Sequence, residues 1–148
     1  MFLMTSEPPH SRGRGRPRRA EADAEILDAA LAMLRDGGYR ELSLDEVARR
    51  AGTAKSSIYR RWPSKAALVA EIVRRESPPQ HDASDRDAAV RAFEILMNGA
   101  LGGVVASLIG EAQESGETRA IVIELLAPYR GADDAALGAI LFRRLLGT

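Results

Sequence analysis

The sequence contains no cysteine, which removes disulfide frameworks, thiolate metal sites and cysteine nucleophiles together. Its two histidines, His10 and His81, lie far apart in loop-like segments, and neither sits in a ligand-spaced cluster, so no metal centre is expected. No apolar run approaches the length of a membrane span, and the four residues Met1 to Met4 are too few for a signal-peptide core. The expectation is a cytoplasmic protein with no membrane partner. Strand-type alternation does not persist anywhere, which leaves no strand to feed a glycine-rich phosphate loop. No nucleophile is paired with a base. Neither an enzyme nor a cofactor is expected.

What is present is ordinary in amount and uneven in placement. The 148 residues are 45% hydrophobic and 28% charged, enough for one compact domain or a small module with a short companion. The net charge is zero. Through Glu76, however, 15 Lys and Arg stand against 11 Asp and Glu, a balance of +4; from Ser77 onward 6 stand against 10, a balance of −4. The basic excess lies in the first half, and the acidic second half disfavours wrapping DNA around the whole molecule.

Residues 1–20 hold three prolines and five arginines, a composition that cannot bury enough apolar surface to offset its ordering entropy. They are expected to form a disordered arm. From Glu21 the pattern is helical: Ile26, Leu27, Ala30, Leu31 and Leu34 make one apolar stripe, and Gly37-Gly38 stops it. Ser43, followed by Glu46, has the spacing of a capping box for a second helix whose inner face is Leu44, Val47, Ala48 and Ala51. Gly52 ends that helix. A third helix is predicted over Ala54 to Arg61, closed by Pro63, and Ser64 caps a fourth that runs to Glu76. Ser77-Pro78-Pro79 breaks the chain. Beyond it, helices are expected near Asp87–Asn98, Gly103–Gln113, Glu117–Leu126 and Asp133–Leu146, with Asp85, Asp87, Asp133 and Asp134 at helix starts as caps. The fold class is all-α.

Two short helices joined by a tight turn, Ser43 to Trp62, are the minimum hardware for placing one helix in a major groove. Ala54, Ile58 and Trp62 recur at i, i+4 and i+8 and are predicted to face the core. Lys55, Ser56, Ser57, Tyr59 and Arg60 are left on the outer side, where lysine and arginine can donate to guanine and serines can reach bases or phosphates. Arg49 and Arg50 are expected to be a solvated face.

Residues 51–68, Ala-Gly-Thr-Ala-Lys-Ser-Ser-Ile-Tyr-Arg-Arg-Trp-Pro-Ser-Lys-Ala-Ala-Leu, resemble the signature of TetR-family repressors. Leu42 to Arg50 and the Gly37-Gly38-Tyr39 corner are similar to the family's preceding segment, so the match covers about residues 21–75. The resemblance implies a three-helix, homeodomain-like head over residues 21–76, joined by a fourth helix to a small helical domain over 77–148. It implies base reading by Lys55, Ser56 and Ser57, and phosphate contacts from Tyr59, Arg61, Lys65 and Ser43, with Arg60 beside the groove. It also implies a homodimer on a palindromic duplex site, with a small hydrophobic effector as second partner. The 72 residues after Glu76 are fewer than the family generally devotes to the effector-binding and dimerisation domain; internal shortening and a clipped end explain this equally well. Leu137, Ile140, Leu141 and Leu145 form a stripe suited to a dimer surface, while apolar residues from Phe93 to Leu126 are mostly helix packing.

The Arg14-Gly15-Arg16-Pro17 core of the arm resembles an AT-hook, in which an extended backbone slips arginines into a narrow minor groove. Its alternative is a generic basic tail with non-specific phosphate affinity. Both put Arg14 and Arg16 on DNA. Two other readings of the whole chain stay open: an architectural DNA-binding protein without an effector, and a helical protein-interaction module.

Overall fold

The computed structural model describes residues 15–77, 81–82 and 84–147. Among these residues the chain is all-α: α1 (Gly15–Glu41), α2 (Leu44–Arg50), α3 (Lys55–Arg61), α4 (Lys65–Glu76), α5 (Arg86–Asn98), α6 (Gly102–Glu111), α7 (Gly116–Leu125) and α8 (Asp134–Leu146), with a 3-10 turn at Ala127–Tyr129.

α1 begins at Gly15, not at Glu21 as the pattern predicts. Residues 15–20, expected to be disordered, are helical. Pro17 does not prevent this, because the first backbone N–H groups of a helix have no intrahelical acceptor and a missing one costs nothing. The expected stop is present at Gly38, whose φ of 74° breaks the helical run, a conformation that side-chain-bearing residues rarely adopt. Unlike the predicted clean end, a helical turn resumes through Glu41. The stripe Ile26, Leu27, Ala30, Leu31 and Leu34 is buried throughout.

Local caps fix the other helix starts. Ser43 Oγ accepts from Glu46 N at 3.5 Å, Ser64 Oγ from Ala67 N at 3.1 Å, and Ser115 Oγ from Thr118 N at 3.2 Å. Asp85 Oδ1 accepts from Ala88 N at 2.9 Å and Asp133 Oδ1 from Ala135 N at 2.7 Å. Each bond satisfies a donor that the helix itself leaves free.

One hydrophobic cluster runs through both halves of the chain, from Ile26 and Leu34 through Leu68 and Ile72 to Phe93, Leu108 and Ile140. α4 is the shared element. It packs against α1 on one side and α7 on another, and Ala66, Leu68, Val69, Ala70, Ile72 and Val73 are all buried. Ion pairs pin its far end: Arg75 to Asp28 of α1 at 2.9 Å and Arg74 to Glu124 of α7 at 3.9 Å. Among the described residues no single helix is long and apolar enough to cross a membrane; α5 and α6 reach that composition only as a pair bent by 96°.

Candidate nucleic-acid interface

α2 and α3 meet at a turn made by Gly52, whose φ is 62°. Thr53 N donates to Ala48 O at 2.9 Å and closes the corner. α3 has seven residues, too few to be helical on its own in water, so its conformation comes from what holds it. Ile58 is fully buried and is the buried residue of α3; Trp62, half-buried, packs on the same cluster. Ala54 does not join them. Contrary to the predicted tripod it is exposed and serves as the N-cap residue, with φ −82° and ψ 145°. Helical periodicity does not extend to a residue outside the helix.

The outer side carries the predicted row. Ser56, Tyr59 and Arg60 are exposed, and Lys55 and Ser57 are half-buried. None is packed into the core. The row is cross-linked in ways the sequence does not announce. Lys55 Nζ donates to Asp45 Oδ2 of α2 at 2.9 Å and lies 6.0 Å from the centre of the Tyr59 ring. Asp45 holds the lysine ammonium above its usual range. Arg60 Nη2 donates to Ser57 Oγ at 3.2 Å. Arg61 is turned inward: Nη1 donates to Ser57 O at 3.1 Å, and the guanidinium pairs with Asp23 of α1. It is a clamp between α1 and α3 before it is a ligand for anything else.

The remaining predicted residues are distributed more widely. Ser43 is exposed at the start of α2, where its oxygen caps the helix. Lys65 lies apart from the α3 row, in a cleft of about 890 Å³ that it lines with Tyr39, Glu111 and Arg144. Its ammonium sits 4.5 Å from the centre of the Tyr39 ring, and burial pushes its pKa down. The same burial, with the Glu111 carboxylate alongside, pushes the Tyr39 hydroxyl up. Arg14 lies outside the described residues. The backbone of Arg16 is in the first turn of α1, so the extended conformation of the AT-hook reading is not the one adopted from Gly15 to Pro17.

The predicted capping box is half formed. Glu46 N meets Ser43 Oγ, but the Glu46 carboxylate is taken by Arg49 at 2.6 and 2.7 Å and by Arg50 at 2.8 Å. Hydrogen bonds from Arg49 first, then Arg50, lower its pKa from 4.5 to about 2. A depressed folded-state pKa contributes stability above the unfolded value that is lost as pH falls through the folded one. Thermal melts of the wild type should therefore show a small decline between pH 4.5 and about 2 that Glu46→Gln lacks. The effect is small because the group is in water. Identical acid limbs for the two proteins would show that the arginines do not stabilise α2.

A capped supporting helix, a glycine turn and a short second helix with a polar outer side define a helix-turn-helix of the DNA-binding class. Residues 26–72 match the family model of bacterial regulatory proteins, tetR family. The chain is 37% identical over 78 residues to an uncharacterized HTH-type transcriptional regulator of Mycobacterium tuberculosis, covering 50% of this chain and 39% of that protein. It is 31% identical over 107 residues to the uncharacterized HTH-type transcriptional regulator YdeS of Bacillus subtilis, covering 68% and 54%. With the HTH-type transcriptional regulator AqdR of Rhodococcus erythropolis it shares 29% identity over 91 residues, covering 62% and 44%. Residues 26–72 are thus a helix-turn-helix head of the kind carried by the tetR family of bacterial regulatory proteins. The chain spans about half or less of the length of these curated relatives.

Proposed function

We propose that the chain is a sequence-specific transcriptional regulator, acting as a homodimeric repressor on a palindromic duplex site and released by a small effector. The observation that carries this reading is the outer side of α3. Lys55, Ser56 and Ser57 are held at the surface by a fully buried Ile58 on the opposite side, as a helix entering the major groove requires. Tyr59, Arg60 and Arg61 continue the polar row as phosphate or base contacts, and Ser43 and Lys65, at the starts of α2 and α4, are further phosphate contacts, Lys65 from a cleft apart from the row. Arg14, and Arg16 from the first turn of α1, add affinity at the amino end. DNA as partner implies the cytoplasm as the place of work.

The division of labour follows the charge. Residues 21–76 form the DNA head, and residues 77–148 the effector-binding and dimerisation part. A cavity of about 310 Å³ between α5, α7 and α8, lined by Phe93, Val122, Leu126, Tyr129, Leu137 and Leu141, supports a small, mostly apolar effector, since ligand pockets start at about that size. Dimerisation is supported by α8. Leu137, Ile140 and Leu141 of its predicted stripe turn inward, but Phe142, Leu145 and Leu146 stay 62%, 66% and 59% exposed, an apolar end suited to a second copy. A dimer would set two α3 helices about 34–36 Å apart.

Selection of bound duplexes from a random pool, followed by competition binding, tests the reading. The expected result is one palindromic sequence preferred over random duplex by about 10³-fold or more. Tight binding with no such preference would replace the repressor by an architectural DNA-binding protein. A monomer that binds no duplex would leave a protein-interaction module.

A further inference from the structure

α1 and α3 border a cleft that joins Arg60 and Arg61 of the predicted interface to two residues of α1 outside it. The cleft has a volume of about 390 Å³ and is lined by Arg19, Asp23, Arg60 and Arg61. Three arginines and one aspartate therefore border it. The aspartate is already committed: Asp23 Oδ1 is buried, accepts no hydrogen bond, and faces Arg61 as an ion pair. Among the described residues neither Arg19 nor Arg60 has a carboxylate within ion-pair distance, and Arg60 reaches only the Ser57 hydroxyl at 3.2 Å. Among the described residues the cleft thus has two arginines without a carboxylate partner of their own. Both residues are exposed.

The placement of Arg19 needs a reason. It stands near the amino end of α1, with Arg18 beside it and no acidic residue in the first turn. Guanidinium forks suit phosphate oxygens, so an anion placed in the cleft would be matched by the arginines that line it. The cleft also borders the carboxyl end of α3, the helix proposed to enter the groove.

We propose that Arg19, Arg60 and Arg61 form a seat for one backbone phosphate of duplex DNA, so that α1 as well as α3 grips the duplex. Asp23 is a positioning residue: it fixes Arg61 across the gap between the two helices and leaves the other two arginines to the phosphate. The seat rests on the DNA-binding reading above and adds to it a contact from outside the helix-turn-helix. It orients the head without reading sequence.

The test is the salt dependence of binding, measured with the full chain and a mixed-sequence duplex between about 50 and 200 mM salt. Arg19→Gln is expected to reduce the log–log slope by about 0.9 and to weaken all duplexes alike, because one neutralised phosphate is lost. Arg19→Lys should keep the slope. Arg18→Gln, an exposed neighbour that does not line the cleft, should also leave it unchanged. If Arg19→Gln binds with the wild-type slope, the seat is wrong while the DNA reading stands. Equal losses from Arg18→Gln and Arg19→Gln would replace the seat by a diffuse basic field. Failure of the wild type to bind any duplex would sink both proposals. Circular dichroism of each variant should match the wild type, since these side chains lie at the surface.

Discussion

Ile58→Ala should lower folding stability by about 2–5 kcal/mol and abolish DNA binding at temperatures where the rest of the protein is still folded. The side chain is fully enclosed, so its removal loses both the transfer free energy of the missing groups and the contacts of the atoms left around a cavity. Elsewhere the same cut would weaken a core; here it also releases the recognition helix. α3 is two turns long, and beyond Ile58 its hold on the core is the half-buried Trp62. Urea denaturation with a parallel duplex titration checks this, with Ile58→Val, expected to cost about 0.5–1.5 kcal/mol, as the graded comparison. An unchanged denaturation midpoint for the alanine variant would mean that α3 is held by something other than this anchor.

The second large effect concerns Lys55 and its partner. Lys55→Ala should cost about 1–3 kcal/mol on the preferred site and relax the preference at one base pair. The ammonium is not idle before DNA arrives, because Asp45 of the supporting helix accepts its hydrogen bond at 2.9 Å. A base edge must therefore draw the lysine away from a carboxylate. Random sequence, offering only phosphates near a carboxylate that repels them, gains little from the exchange. Asp45→Asn should bind every duplex more tightly while lowering the ratio between preferred and random sites. Competition titrations of the two variants read both quantities. Equal weakening of all sequences by Lys55→Ala would reassign the lysine to a phosphate.

Much of the head was legible because its signals are local. Ser43, Gly52 and Ser64 each act within three or four residues, and the Leu44, Val47, Ala48 face follows from helical period alone. Ala54 shows where period misleads. It sits at the right interval from Ile58 and Trp62, yet it precedes the first helical residue, so its direction is set by an extended backbone. Residues 15–20 show the converse: an arginine- and proline-rich composition reads as disorder, but proline in a first turn forfeits no hydrogen bond, and good helix formers follow it.

The unreadable part of the site consists of contacts between elements. Asp45 to Lys55 spans a turn, and Asp23 to Arg61 joins helices that nothing in their spacing connects. Glu46 is a smaller case of the same kind. Its position promised a reciprocal cap, but two arginines one turn further on compete for the carboxylate and win, charge against charge. In the second half the helix limits follow from glycines and aspartates, whereas the face that α8 buries depends on where α5 lies, which no local pattern states.

The burial of α4 bears on how the molecule can be taken apart. Its side chains are roofed by α1 from one direction and by α7 from another, so it is a common wall and not a hinge pin at the edge of either half. Severing the chain after Glu76 would leave that wall facing water on the side it now shares with the second half. Evolution could trim or vary the helices behind the wall only as far as some apolar surface still covered it.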